Sequence, residues 1–98
     1  MALEIKWSKK ADRSFDAIID YLEGEFGEMT TSKFVRKVHE FLSLLSEFPE
    51  LGTEEYQELN IRGIVIVKQI TLFYKVRNQK IILLNFYDNR QRPKKKRY

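Results

Sequence analysis

Apolar and polar positions alternate at the start of the chain, where Leu3, Ile5 and Trp7 are interleaved with Glu4 and Lys6. This is the period-two pattern of a half-buried strand, and Ser8 follows with a hydroxyl suited to cap a helix. The period then lengthens. Ala11, Phe15, Ile18, Ile19, Leu22 and Phe26 recur at helical spacing, with Asp12, Arg13, Asp16, Asp20 and Glu23 on the opposite side. Gly27 is expected to end this helix. Thr30 or Thr31 can cap a second one, in which Phe34, Val35, Val38, Phe41, Leu42, Leu45 and Phe48 form one apolar stripe. Two amphipathic helices joined by a short link predict a helical hairpin. Pro49 and Gly52 stop the second helix and turn the chain, and the acidic stretch 54–58 reads as loop.

Beyond Leu59 the chain turns β-branched and aromatic, and Ile64 to Val67, Ile70 to Val76 and Ile81 to Tyr87 read as three strands. Lys68-Gln69 and Asn78-Gln79 are places for tight hairpin turns, so the strands form an antiparallel meander. Residues 81–86 are apolar on both faces, as an interior strand requires, and the N-terminal strand adds a further member. The fold class expected is α+β: an N-terminal strand, a two-helix hairpin and an antiparallel β-meander, with the helices packed on one face of the sheet. Residues 1–89 form a single domain, and 90–98 form a basic tail that Pro93 helps keep extended.

Composition narrows the chemistry. A chain of 98 residues holds one domain, and 43% hydrophobic residues supply enough apolar surface to fold it. Cysteine is absent and His39 is the single histidine, which excludes disulfides, thiolate ligands and a zinc site. No metal and no small-molecule cofactor is expected, and His39, off the apolar stripe, is expected to be solvated. The N-terminus carries charges where a signal peptide needs an apolar stretch. No apolar run approaches the roughly 20 residues that span a bilayer, so the cytoplasm is the expected location, with no membrane partner.

Charge is segregated. Residues 1–60 hold seven Lys/Arg against thirteen Asp/Glu, a net of −6, whereas residues 61–98 hold eleven Lys/Arg against Asp88 alone, a net of +10. A basic surface of that density attracts polyanions, which makes RNA, DNA or an acidic protein segment plausible ligands. Six of the basic residues fall in the last nine positions, where a solvated charge run is the alternative.

An ordered set of residues carries a resemblance to a known superfamily. Trp7-Ser8 followed by Ala11, Ile18 and Tyr21-Leu22 resembles the opening of the RelE/ParE toxins of type II toxin-antitoxin systems, which include plasmid-stabilisation proteins. Leu45, Phe48-Pro49, Leu51-Gly52, Ile61-Arg62, Leu72 to Val76 and Ile81 to Leu84 continue it in order and spacing, and Asp88-Asn89-Arg90-Gln91 with a basic tail resembles the end of one subgroup. The resemblance implies a toxin neutralised by a cognate antitoxin that is encoded by an adjacent gene. One branch of the superfamily poisons DNA gyrase without hydrolysing anything; another cuts messenger RNA on the ribosome. The third alternative, of another class, is a non-toxic nucleic-acid-binding or co-repressor module.

Metal-independent RNA cleavage needs a base, an acid and cations around the phosphate. With this composition those roles fall to tyrosine, lysine and arginine. Arg62, Tyr87 and Arg90 are the catalytic candidates if the chain is an endoribonuclease, and Lys68, Lys75, Arg77, Arg92, Lys94, Lys95 and Lys96 are candidates for contact with nucleic acid or target. Alternation along Ile70 to Arg77 sets Tyr74 with Ile70, Leu72 and Val76, and places Lys75 and Arg77 on one open face with Phe73. The nuclease branch carries a basic residue where this chain has Thr71, a departure that favours the gyrase reading. Structural readings compete at several positions: Tyr74 as a strand-packing tyrosine, Arg62 as a tether for the acidic loop, Lys68 as a turn residue, and Asp88 as the partner of Arg90.

Overall fold

The computed structural model describes residues 2–91 and 96–98. It contains β1 (Glu4–Trp7), α1 (Lys9–Glu47), β2 (Thr53–Tyr56), one turn of 3-10 helix (Gln57–Leu59), β3 (Ile61–Val67), β4 (Ile70–Arg77) and β5 (Lys80–Asp88). The five strands form one sheet in the order β1-β5-β4-β3-β2.

Ser8 opens α1 as its sequence position predicts. Its backbone is extended and its Oγ accepts a hydrogen bond from the Ala11 amide at 3.0 Å. The expected two-helix hairpin is corrected in form: helical structure runs as one element from Lys9 to Glu47, interrupted only at Gly27, whose φ of 85° and ψ of 179° are non-helical. No linking segment separates two helices. Thr31 is not a cap but an interior residue, its hydroxyl donating back to the Gly27 carbonyl at 2.9 Å. A straight helix of 39 residues would be about 58 Å long, yet the longest dimension of the molecule is 38 Å. The element therefore bends sharply at Gly27, and the rings of Phe15 and Phe34, one from each arm, stack with centroids 6.1 Å apart.

Both arms pack on the same face of the sheet. Ala11, Phe34, Val38, Leu42 and Leu45 from α1 meet Ile66, Ile70, Leu72, Tyr74, Ile81, Leu83 and Phe86 from the strands. Phe26 and Phe48, counted in the apolar stripes, are 59% and 60% exposed and lie outside this core.

The sheet is mixed rather than a purely antiparallel meander. β3, β4 and β5 are antiparallel neighbours, but β1 runs parallel to β5, with Ile5 beside Ile81 and Trp7 beside Leu83. The two parallel strands are the first and last of the chain, and the long connection that a parallel pair requires is made by α1 and β2 to β4 together. The acidic stretch read as loop is also corrected: Thr53–Tyr56 is an edge strand antiparallel to β3, and the 3-10 turn follows it. Pairing to β3 supplies the backbone partners that an exposed, acidic sequence does not advertise. Asn78 and Gln79 form the β4–β5 turn with φ of 52° and 60°, the left-handed pair that a two-residue type I′ hairpin needs.

A bulge in β5 organises the far side of the molecule. Tyr74 pairs with Leu83 and Phe73 with Asn85, leaving Leu84 as an extra residue. Two serines satisfy the disturbed backbone: Ser8 Oγ donates to the Leu84 carbonyl at 3.2 Å and Ser14 Oγ accepts from the Phe86 amide at 2.9 Å. After the bulge Phe86 still enters the core while Asn85 shares the opposite face with Phe73.

Candidate functional site

Two surfaces carry the chemistry anticipated in the sequence: a groove beside α1 and the sheet face that α1 leaves open.

The groove is a cavity of about 600 Å³ between both arms of α1 and the ends of β3, β4 and β5. Ile18, Tyr21, Leu22 and Phe26 form one wall, Phe34 part of the floor, and Val67, Ile70 and Phe86 the sheet side. Tyr21 is 45% exposed and its ring meets that of Phe26 at 6.2 Å. Arg90 stands at the rim with its guanidinium 5.7 Å from the Tyr21 ring centroid. Asp88 fixes it there: Asp88 Oδ2 accepts from Arg90 Nη2 at 2.7 Å, and Oδ1 accepts from both Nε and the backbone amide. That hydrogen bonding holds the Asp88 carboxyl below its usual range and raises the arginine. Phe26 was read as a helix-stripe residue and Tyr21 only as part of the superfamily resemblance, and only the presence of more apolar positions than one core face can bury hinted at a second use.

The open face is defined by register. Lys75 lies beside Ile61 and Ile82, Arg77 beside Lys80, Phe73 beside Gly63 and Asn85, and Thr71 beside Tyr87. Lys75 and Arg77 thus share a face with Phe73, as the alternation implies. Phe73, however, is fully buried rather than open. Tyr56, Tyr87 and the returning C-terminal Arg97 cover its ring. β1 adds Lys6, which lies beside Ile82, so Lys6, Lys75, Arg77 and Lys80, the last paired with Glu4 at 3.9 Å, occupy the β1 side of this face. Lys6 was missed because its place depends on a parallel pairing that alternation does not reveal, and Lys80 because the last strand was begun at Ile81, one residue late. Lys68 is exposed in the β3–β4 turn, where its carbonyl accepts from Asn89 Nδ2. Lys96 is exposed, whereas Arg92, Lys94 and Lys95, together with Pro93, lie outside the described residues.

The three catalytic candidates do not meet at one point: Tyr87 and Arg90 both line the groove, whereas Arg62 lies apart from it. Arg62 pairs across the strands with Tyr74, on the helix-covered side, and donates to the Gly52 carbonyl at 2.7 Å and to Glu54 at 3.4 Å. Tyr87 pairs with Thr71, three positions before Tyr74 in β4 and on the opposite face, and its hydroxyl donates to the Gln91 carbonyl at 3.0 Å. Arg90 is engaged by Asp88 at the groove. Tyr74 is a structural pin: its buried hydroxyl donates to the Pro49 carbonyl at 2.8 Å and accepts from the Gly52 amide at 2.9 Å. Burial raises its pKa above the ordinary tyrosine value. His39 is exposed. Among the described residues no group of three or more His, Asp or Glu side chains is placed to hold a metal ion, and no helix is long and apolar enough to cross a membrane.

Against known families, residues 5–93 match the model for the ParE toxin of the type II toxin-antitoxin system parDE. The chain belongs to the ParE toxin family. Its toxins are components of type II toxin-antitoxin systems, and the chain is accordingly a toxin of that class. The fold agrees. A structure of a chromosomal ParDE system from P. aeruginosa aligns with a TM-score of 0.74 at 21% identity, over 89% of this chain and 96% of that one. A YoeB-YefM toxin-antitoxin complex from Staphylococcus aureus aligns with a TM-score of 0.62 at 18% identity, over 88% and 95% of the two chains. A conserved protein of Helicobacter pylori aligns at 0.58 and 18% identity, over 91% and 97%. No curated protein sequence matches.

Proposed function

We propose that this ParE-family toxin is a non-hydrolytic poison of DNA gyrase in the cytoplasm, and that an antitoxin encoded by the adjacent gene silences it by seating an apolar segment in the groove beside α1. The observation that carries the target is the separation of Arg62 from Tyr87 and Arg90, the other cleavage candidates, which both line the groove. RNA cleavage needs a base, an acid and a phosphate clamp within hydrogen-bonding reach of one scissile bond. Arg62 is committed to the Gly52–Glu54 segment on one side of the sheet, while Tyr87 lies on the other. The basic cluster of Lys6, Lys75, Arg77 and Lys80 suits instead an anionic protein or DNA surface held without chemistry. For the antitoxin, the groove offers exposed aromatic walls and a charged rim, the composition of a helix-in-groove or extended-peptide site.

The test is made in cells shortly after induction. Gyrase-DNA cleavage complexes are expected to accumulate while messenger RNA ends remain unchanged, and co-expression of the adjacent gene is expected to restore growth. Ribosome-dependent message cuts with no cleavage complexes would make the chain an endoribonuclease of the RelE kind. Unimpaired growth with folded protein would leave only a binding or co-repressor role.

A further inference from the structure

The end of the chain occupies a built site on the open face. Arg97 lays its guanidinium over the Phe73 ring, 5.2 Å from the centroid, and pairs with Glu55 Oε1 at 3.2 Å. Its carbonyl accepts a hydrogen bond of 2.7 Å from Nδ2 of Asn85, a residue that is only 8% exposed. Its amide faces the Tyr56 hydroxyl at 3.4 Å, and the Tyr98 ring packs edge-on against that of Tyr56 at 4.5 Å. Each feature of an arginine-aromatic dipeptide therefore has its own partner: a carboxylate and a π-face for the guanidinium, an amide for the carbonyl, a tyrosine for the ring.

The site is not a by-product of sheet packing. Asn85 reaches this face only because the β5 bulge leaves Leu84 as an extra residue. Glu55 is likewise the extra residue of an irregularity in β2, between the pairs Glu54–Arg62 and Tyr56–Ile61. Gly63 keeps the floor open, since a Cβ there would come within 3.0 Å of Glu55 Cγ and 3.1 Å of Phe73 Cε1. Without an occupant, the buried Asn85 amide would lose its acceptor and the Phe73 ring would meet water, both unfavourable.

We propose that Glu55, Tyr56, Phe73 and Asn85 form a recognition site for an arginine-aromatic peptide segment, filled in cis by Arg97-Tyr98. The segment acts as a latch over the open face. Lys75 and Arg77 share that face and repel Arg97, so Glu55 and Asn85 set the balance between latched and released states. The proposal holds whichever target the toxin has.

Nuclear magnetic resonance on the full chain tests it. In the native chain the amides of Arg97 and Tyr98 are expected to show heteronuclear NOE values close to those of the strands, and in Arg97→Ala the values of a free chain end. The double variant R97A/Y98A, altered only in the partly exposed tail, leaves the site vacant. Acetyl-Lys-Arg-Tyr-amide titrated into it is expected to give saturable shifts at Glu55, Phe73 and Asn85, and none in the native chain. Adding Glu55→Gln should weaken that binding by up to about fivefold, the scale of a partly exposed ion pair. A tail as mobile in the native chain as in Arg97→Ala overturns the proposal. So does a peptide that at millimolar concentration leaves the three residues unmoved, or shifts them equally in the native chain.

Discussion

Tyr74 shows how far a single residue can be read from its neighbours. Alternation along β4 put it on the buried side, and the structure adds two hydrogen bonds, to the Pro49 carbonyl and from the Gly52 amide, that pin the turn after α1 to the sheet. Tyr74→Phe leaves both backbone groups without that partner in a buried setting and is expected to cost about 1–3 kcal/mol, measured by urea unfolding. The loss should depend on pH. Burial raises the hydroxyl's pKa in the folded chain above its value of about 10 in the unfolded one. The associated stability is complete below pH 10 and is lost as pH rises through the folded value. Native protein should therefore lose stability more steeply above pH 10 than Tyr74→Phe does; parallel curves for the two would remove the buried hydroxyl as the cause. Arg62 belongs to the same neighbourhood. Its tether to Gly52 and Glu54 matches the structural alternative legible in the sequence, because an acidic stretch stood within reach of an arginine beside a glycine.

At the scale of elements, sequence patterning located β1, the apolar faces of α1 and the three long strands, because each buries one periodic face against the core. It failed where pairing rather than burial makes the structure. β2 has three exposed residues and acquires strand geometry from β3 alone. Period-two alternation in β1 carries no information about direction, so its parallel docking on β5 and the resulting place of Lys6 were hidden. The helical break was legible as Gly27, but its form was not: helix resumes directly after one residue. The backbone of Gly27, φ 85° and ψ 179°, lies in a region essentially restricted to glycine, while a Cβ there would meet nothing within 4 Å. Gly27→Ala is thus expected to destabilise by about 1–3 kcal/mol through backbone strain alone. Gly24, helical and with the same open space, makes the contrast. Gly24→Ala should stabilise by about 0.5–1 kcal/mol. Urea midpoints that move in the same direction for both would show that the bend does not depend on the glycine conformation.

For the whole molecule, the division of charge along the sequence becomes a division of surfaces. The acidic first part supplies α1 and the β2 edge, while the basic second part supplies β3 to β5 and the returning end of the chain. The groove lies where the two parts meet, with Tyr21 and Phe26 on the α1 side and the Asp88–Arg90 pair on the strand side. The basic cluster of the open face, by contrast, is centred on the other end of β4, at Lys75 and Arg77. If the groove seats the antitoxin and the open face meets the target, the two functions can be separated by substitution. Phe26→Asp is the decisive change, because Phe26 is 59% exposed and lies outside the core, so the fold is spared while a charge enters an apolar docking wall. Burying that charge should weaken antitoxin binding by about tenfold or more, as loss of an interface anchor does. Induced Phe26→Asp toxin should still arrest growth, but co-expressed antitoxin should rescue it poorly, with a matching fall in affinity by calorimetry. Full rescue and unchanged affinity would place the antitoxin elsewhere on the molecule, with the exposed edges of β1 and β2 next in line as strand-pairing sites.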